Sequence, residues 1–136
     1  MKQIALLLVL CIFMMSSICT KRDIYHDRIS FINKSGKAVY VEGDFSWPDT
    51  SMNFVFSIQG NSYKKVLPDV VGNPLELMDT YEERFEQLEV LMVFVFDAEV
   101  LETTPWDTVK SNYLVLKRYD LSLEDLQDMD WKIIYP

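Results

Sequence analysis

The side chains able to do chemistry are few in this sequence of 136 residues: one histidine, two cysteines, three tryptophans and a large excess of carboxylates. Trp47 stands beside Pro48 in a stretch that also holds Asp44, Asp49 and Asn53. Proline withholds the amide donor that a central strand needs, so the stretch reads as an exposed loop. An indole face in such a loop can stack on a sugar ring while a carboxylate bonds the ring's edge. Trp47 and Asp49 are therefore the candidate ligand contacts, whereas Trp106 and Trp131 fall where the pattern points them at the core. A single exposed aromatic contributes on the order of 1–2 kcal/mol, short of the roughly 5 kcal/mol of a sub-millimolar site, so a sugar site at Trp47 needs a second platform. Asp44, Asp49 and Asn53 carry the oxygens that calcium prefers but lack the compact alternating spacing of a dedicated loop.

His26 is flanked by Asp23 and Asp27, a grouping whose chemistry would be proton transfer or metal ligation. It lies in the polar stretch from Thr20 to Arg28, which reads as a tether, and a flexible segment cannot hold catalytic geometry; the expectation is a solvated histidine. Catalysis would then rest on carboxylates. Residues 69–130 contain 16 acids against four bases, but most fall on the wet faces of short helices and no catalytic pair stands out. The reading is non-enzymatic, with no cofactor and no metal. One histidine and two cysteines do not build a zinc or haem cluster, and four glycines form no phosphate-binding loop. A net charge of -8 without a basic run longer than a pair excludes a nucleic-acid footprint. The acidic second half can instead face a basic protein partner.

The positioning elements begin with targeting. Lys2 precedes an apolar run from Ile4 to Met15, which yields to Ser16, Ser17, Ile18 and Cys19. That run is shorter than the roughly 20 residues of a spanning helix, and its layout is that of a bacterial export signal. Cys19, followed at once by polar residues, reads as the lipidated first residue of a mature lipoprotein; the competing reading is an incidental cysteine in a signal cut slightly later. The organisation is then an export signal over 1–18, an anchor and tether over 19–28, and one globular domain over 29–136.

Arg28–Ile32 and Ala38–Glu42 read as a hairpin around the turn residues Asn33, Ser35 and Gly36. Met52–Ile58 alternates as a half-buried strand, Tyr63–Leu67 makes a short strand, and Pro68–Pro74 is a loop. Leu77, Tyr81, Phe85 and Leu88 recur at helical spacing behind a Thr80/Glu83 capping box. Val90–Phe96 is continuously apolar and predicts a central strand buried on both faces. Thr104 caps a helical turn begun by Pro105, Tyr113–Tyr119 is a strand, Ser122 caps another helix, and Trp131–Tyr135 closes the chain as a strand. Asp107-Thr108-Val109 also matches a short O-glycosylation pattern. The fold class is mainly β: a β-sandwich or two-layer antiparallel β fold with two or three short helices in its connections, the alternative being α+β.

The signal ending at Cys19, the polar tether, the run from Ile29 to Val41 and the closing block from Tyr113 to Pro136 resemble small envelope lipoproteins of Bacteroides-type bacteria. The resemblance implies an address in the cell envelope, in the outer membrane or periplasm, and no chemistry. The functional expectation is an exported, lipid-anchored binding or assembly module that meets the membrane through its anchor and a protein through its acidic surface. The alternatives are a carbohydrate-binding module and an immunity-type lipoprotein or accessory subunit.

Overall fold

A computed structural model describes residues 25–136. The segment read as an export signal, Cys19 and Asp23 lie outside the described residues. The fold is mainly β, with two sheets forming the layers. Strands β1 (Arg28–Asn33), β2 (Val39–Asp44), β3 (Lys65–Val66) and β4 (Val71–Glu76) precede helix α1 (Tyr81–Phe85). Strand β5 (Leu91–Asp97), helices α2 (Ala98–Thr103) and α3 (Trp106–Ser111), strand β6 (Lys117–Leu121), helix α4 (Leu123–Asp128) and strand β7 (Lys132–Tyr135) follow. One sheet runs β4-β1-β7 and the other β3-β2-β5-β6. All pairings are antiparallel except β1 with β7, which joins the two ends of the domain in a parallel ladder.

The apolar run at 90–96 forms the centre of the larger sheet, as its composition predicts. Alternate residues of β5 face opposite layers. Leu91, Val93 and Val95 pack with Ile29, Phe31, Val41 and Ile133 between the sheets. Met92, Phe94 and Phe96 pack on the outer face with Tyr40, Phe56 and Val109. Because both faces are covered, every residue from Leu91 to Phe96 is buried, and a polar residue has no face on which to stand.

The predicted hairpin does not form. β1 and β2 belong to different sheets, and the turn between them is a corner from one layer to the other. Their apolar faces meet across the core instead of edge to edge. Buried Asn33 holds that corner: its Nδ2 donates to the Lys37 and Val66 carbonyls at 2.7 and 3.1 Å, and its Oδ1 accepts from the Ser35 amide at 3.0 Å. A buried amide with its capacity used in this way fixes a bend that turn propensity alone describes only as a reversal.

Met52–Ile58 is not a strand either, although its alternation marks the buried side correctly from Met52 to Phe56; Ile58, expected on the same face, is exposed. Met52 adopts a positive φ of 53°, and the segment lies over the outer face of the larger sheet. Met52 and Phe56 are buried there and Phe54 packs beside them, its ring 5.7 Å from Phe94 and 5.3 Å from Trp106. Conversely, the predicted loop at 68–74 holds most of β4. Pro74 is tolerated because β4 is an edge strand, and the register slips by one residue opposite Ile29 and Phe31. Gly72 is required at this edge: a Cβ there would meet Val66 Cγ2 at 2.9 Å. The short strand expected at 63–67 shrinks to β3 after a 3-10 turn at Ser62–Lys64.

The Thr80/Glu83 box caps α1, and a Ser122/Asp125 box caps α4. Helix α2 was not expected. Asp97 starts it, accepting the Glu99 and Val100 amides on Oδ1 at 2.9 and 3.3 Å. Burial opposes ionisation of this carboxyl, but those two amides and the Lys37 ammonium outweigh it and hold it below its ordinary value. Thr104 consequently ends α2 instead of capping the next helix, and Pro105 occupies the position before Trp106 without a side-chain cap. Tyr113 turns the chain at a φ of 49°, so the strand predicted from Tyr113 begins at Lys117. The strand at the chain's end likewise starts one residue late, because Trp131 sits at a φ of 57° with its amide closing α4 on the Leu126 carbonyl.

Candidate functional site: a furrow around helix α1

β2 leaves its sheet at Asp44, and the loop that follows is cross-braced by its own polar groups. Asp44 Oδ1 accepts the Ser46 amide at 2.8 Å, and Ser46 Oγ donates to the Asp49 carbonyl at 3.0 Å. Asp49 Oδ1 accepts the Ser51 amide at 2.9 Å, while Oδ2 accepts from Asn53 Nδ2. The hydroxyl and amide of Ser51 hold the Asp49 carboxyl below its ordinary value. Asp49 thus braces the loop and is not among the residues that line the cleft beside Trp47. Asp44 Oδ1 and both Asp49 oxygens accept from separate N–H groups; among the described residues Asp44 Oδ2 is buried without a partner, and no group of metal-ligating side chains occurs.

The bracing presents Trp47, which is 39% exposed and joined to Pro48 by a cis peptide bond. Its indole lines a cleft of about 370 Å³ together with Phe45, Pro48 and the Gln87–Val90 segment after α1. Phe45 is the hinge of the site. Its ring packs on Phe85 at 5.9 Å and on Tyr81 at 6.3 Å, and it also lines a second cleft of about 190 Å³ on the far side. That second cleft ends at Tyr63, which is 61% exposed. A third hollow of about 240 Å³ shares Arg84 with one cleft and Gln87 and Leu88 with the other. The three hollows lie around α1 and share lining residues, a set termed the furrow, with exposed Trp47 in one and exposed Tyr63 in another.

Part of the furrow's charge is paired within the fold, while the carboxylates of Glu83 and Glu89 enter no ion pair among the described residues. Lys64 reaches the Glu42 carboxylate in a nearly buried ion pair. Burial pushes the Glu42 carboxyl up, and the Lys64 ammonium only partly offsets that. Arg84 Nε lies 2.7 Å from Asp79 Oδ2, and Arg28 approaches Glu76 at 3.7 Å. Glu83 is engaged in the capping box. Tyr81 is buried beneath the furrow; its hydroxyl donates to the Leu75 carbonyl at 2.9 Å, and burial pushes the phenol well up. Gln87 and Glu89, both exposed, stand beside Trp47.

His26 is not the solvated tether residue that composition indicates. Its ring stacks on Trp131 at 3.9 Å and an interplanar angle of 13°, and Nδ1 lies 2.7 Å from Glu82 Oε1. The His26 amide donates to Glu82 Oε2 at 3.0 Å, and its carbonyl accepts from Tyr81 at 2.8 Å. Burial opposes ionisation of Glu82, but these bonds from His26 prevail and lower its pKa. Asp27 turns instead to Arg28, 3.1 Å away. The partner that matters is 56 residues distant in sequence, so neighbouring residues gave no signal of it. The arrangement clasps the chain ahead of β1 onto the start of α1. His26→Ala is expected to loosen the clasp without unfolding the sheets: amide exchange accelerates at residue 26 and Tyr81, while β5 stays protected. Unchanged exchange at both amides would show that the clasp contributes nothing.

Trp131 is buried and Trp106 half-buried, as expected. Thr108 lies exposed within α3. Gln87, Glu89 and Tyr63 were not singled out from the sequence. Nothing in their local patterns marks them, since the furrow is assembled from three separate stretches of chain. No family model, curated protein or solved structure matches this chain.

Proposed function

We propose that this protein is a lipid-anchored component of the cell envelope, attached through Cys19, whose domain is a non-enzymatic binding module that uses the furrow around α1. The observation that carries the binding role is that Trp47 and Tyr63, both exposed, line two neighbouring clefts that share Phe45. Large aromatic side chains left accessible on a rigid two-sheet scaffold are surface that folding alone does not require. The support for the anchor is the placement of Cys19 directly after the apolar run.

Hydroxyl-radical footprinting tests the binding role. Trp47 and Tyr63 should be labelled more slowly in intact envelopes than in the purified domain, and equal labelling would refute occupancy of the furrow. For the anchor, labelled palmitate should enter the wild type and be lost in Cys19→Ser. Equal uptake by both, or a soluble wild type with an N-terminus beyond Thr20, would refute it.

A second reading, docking of a basic protein, is favoured by the exposed carboxylates of Glu83, Glu86 and Glu89 beside the furrow. Its mark is salt sensitivity. Protection should fade as the Debye length falls from about 10 Å at 0.1 M toward 3 Å at 1 M.

A further inference from the structure

We infer that the outer face of the smaller sheet is a homodimer surface, on which a second copy of this chain packs face to face through Val71, Ile32 and Ile134. This surface is separate from the furrow, and neither depends on the other.

The register brings the three residues together. Ile32 on β1 is paired with Val71 on β4 and with Ile134 on β7, so the three stand in one row across the sheet. The adjacent residues Phe31 and Ile133 belong to the core, which puts the row on the opposite face. Val71 is 60% and Ile134 62% exposed. Single exposed apolar residues are ordinary on a soluble domain, but a strand face in water carries polar residues, and three β-branched neighbours break that pattern. The larger sheet shows the contrast. Its outer face is also apolar, and there Met52, Phe56 and Val109 pack over Tyr40, Phe94 and Phe96, which are buried. Among the described residues nothing covers Val71 and Ile134 in this way.

Charge selects the occupant. The chain carries a net charge of -8, so two copies repel over most of their surface. Around the smaller sheet the charges are paired. Lys34 lies 3.9 Å from Asp69, Arg28 lies 3.1 Å from Asp27 and 3.7 Å from Glu76, and Lys132 pairs with Asp130, three cations against four carboxylates. A basic partner finds no surplus of free carboxylates here, and an anionic lipid surface finds no surplus of cations. A second copy meets its least repulsion at this face.

The row also matches itself. In a two-fold dimer each patch contacts its own equivalent. An axis between the copies, parallel to β1 and over Ile32, sets Ile32 against Ile32 of the second copy and Val71 against Ile134. One row along, Ser30 is paired with Lys132 and bonds Asn73 at 3.1 Å, so Asn73 and Lys132 exchange in the same way, carbonyl to ammonium. Packed sheets cross at about 30°, which splays the far end, where Arg28 would otherwise meet Arg28. Three side chains bury less than the roughly 800 Å² per partner of a standard interface, so the pairing is weak and concentration-dependent.

The proposed mature chain, residues 19–136 with Cys19→Ser, contains no other cysteine, so single cysteines report contacts cleanly. Ile32→Cys, Val71→Cys and Ile134→Cys should be made in it and treated with a short bismaleimide that spans the roughly 10 Å between packed sheets. Ile32→Cys is expected to cross-link with itself. Val71→Cys and Ile134→Cys should cross-link with each other, when mixed, at least fivefold faster than either does alone. Light scattering of the cysteine-free chain should show a monomer–dimer equilibrium. Ile134→Asp and Val71→Asp, both at exposed positions, should each raise its dissociation constant at least tenfold with an unchanged circular dichroism spectrum. If neither variant keeps that spectrum, the cross-linking pattern decides.

A chain that stays monomeric up to about 1 mM and forms no cross-link overturns the inference. So does a dimer indifferent to both aspartates, which would use another surface. Cross-linking of Ile134→Cys with itself, without any at Ile32→Cys, would place the contact at the edge of β7 and overturn the face-to-face arrangement. A monomer that binds phosphatidylcholine vesicles, and loses them in Ile134→Asp, would assign the face to lipid instead.

Discussion

Val93→Asp should unfold the domain. Val93 is buried at the middle of β5, opposite Gly43 on β2 and Tyr119 on β6, and its side chain faces the core between the two sheets. A carboxylate there has no cation and no water, so either it ionises at a cost of several kcal/mol or it is protonated and leaves its oxygens without donors. Against a total stability of roughly 5–15 kcal/mol for a domain, the loss is decisive. Circular dichroism of the variant should show a collapsed thermal transition. In the wild type, amides of Leu91–Asp97 should be the slowest to exchange, and fast exchange across that segment would contradict its central place.

The next largest effect is expected at Lys64. Removing the ammonium with Lys64→Met leaves the Glu42 carboxylate nearly buried and alone, a change that costs about 3–5 kcal/mol at neutral pH. The pH dependence has a definite sign. Burial already raises the folded-state pKa of Glu42 above its ordinary 4.5, so the charged form is the one the fold disfavours, and losing Lys64 raises it further. The penalty is therefore absent below the unfolded value, where the carboxyl is neutral in both states. It grows as pH rises through the folded value. Urea unfolding of variant and wild type at pH 4 and pH 7 should show a gap at pH 7 that closes at pH 4. Adding Glu42→Gln to the variant should recover much of the loss at pH 7. A gap of equal size at both pH values would mean that the Lys64 stem matters through packing and not through charge.

These two positions differ in how far they could be foreseen. The central strand was legible because seven consecutive apolar residues admit only an element buried on both faces. The Glu42–Lys64 pair was not, since 22 residues separate its members and Glu42 stands at a polar strand end. The same division runs through the candidate site. Trp47 was visible beside its proline, whereas Tyr63, Gln87 and Glu89 acquired meaning only when α1 and the loops at 45–49 and 62–64 came together. His26 was given a tether because its neighbours are polar, and its real partners, Glu82 and Trp131, arrive from α1 and from the turn before β7.

By itself the sequence determined the mainly β class, the central strand, the capping boxes of α1 and α4, and which side of Met52–Phe56 is buried. Each of these follows from local chemistry: periodicity, side-chain volume, or a hydroxyl within reach of an amide three residues on. Only the tertiary structure decided that β1 and β2 part into different sheets, that β4 forms despite Pro74, and that β7 lies parallel to β1. Alternation specifies which face of a segment is buried and not what covers it. Two strands satisfy the same pattern whether they meet edge to edge or across a core, and the choice belongs to the packing of the whole chain.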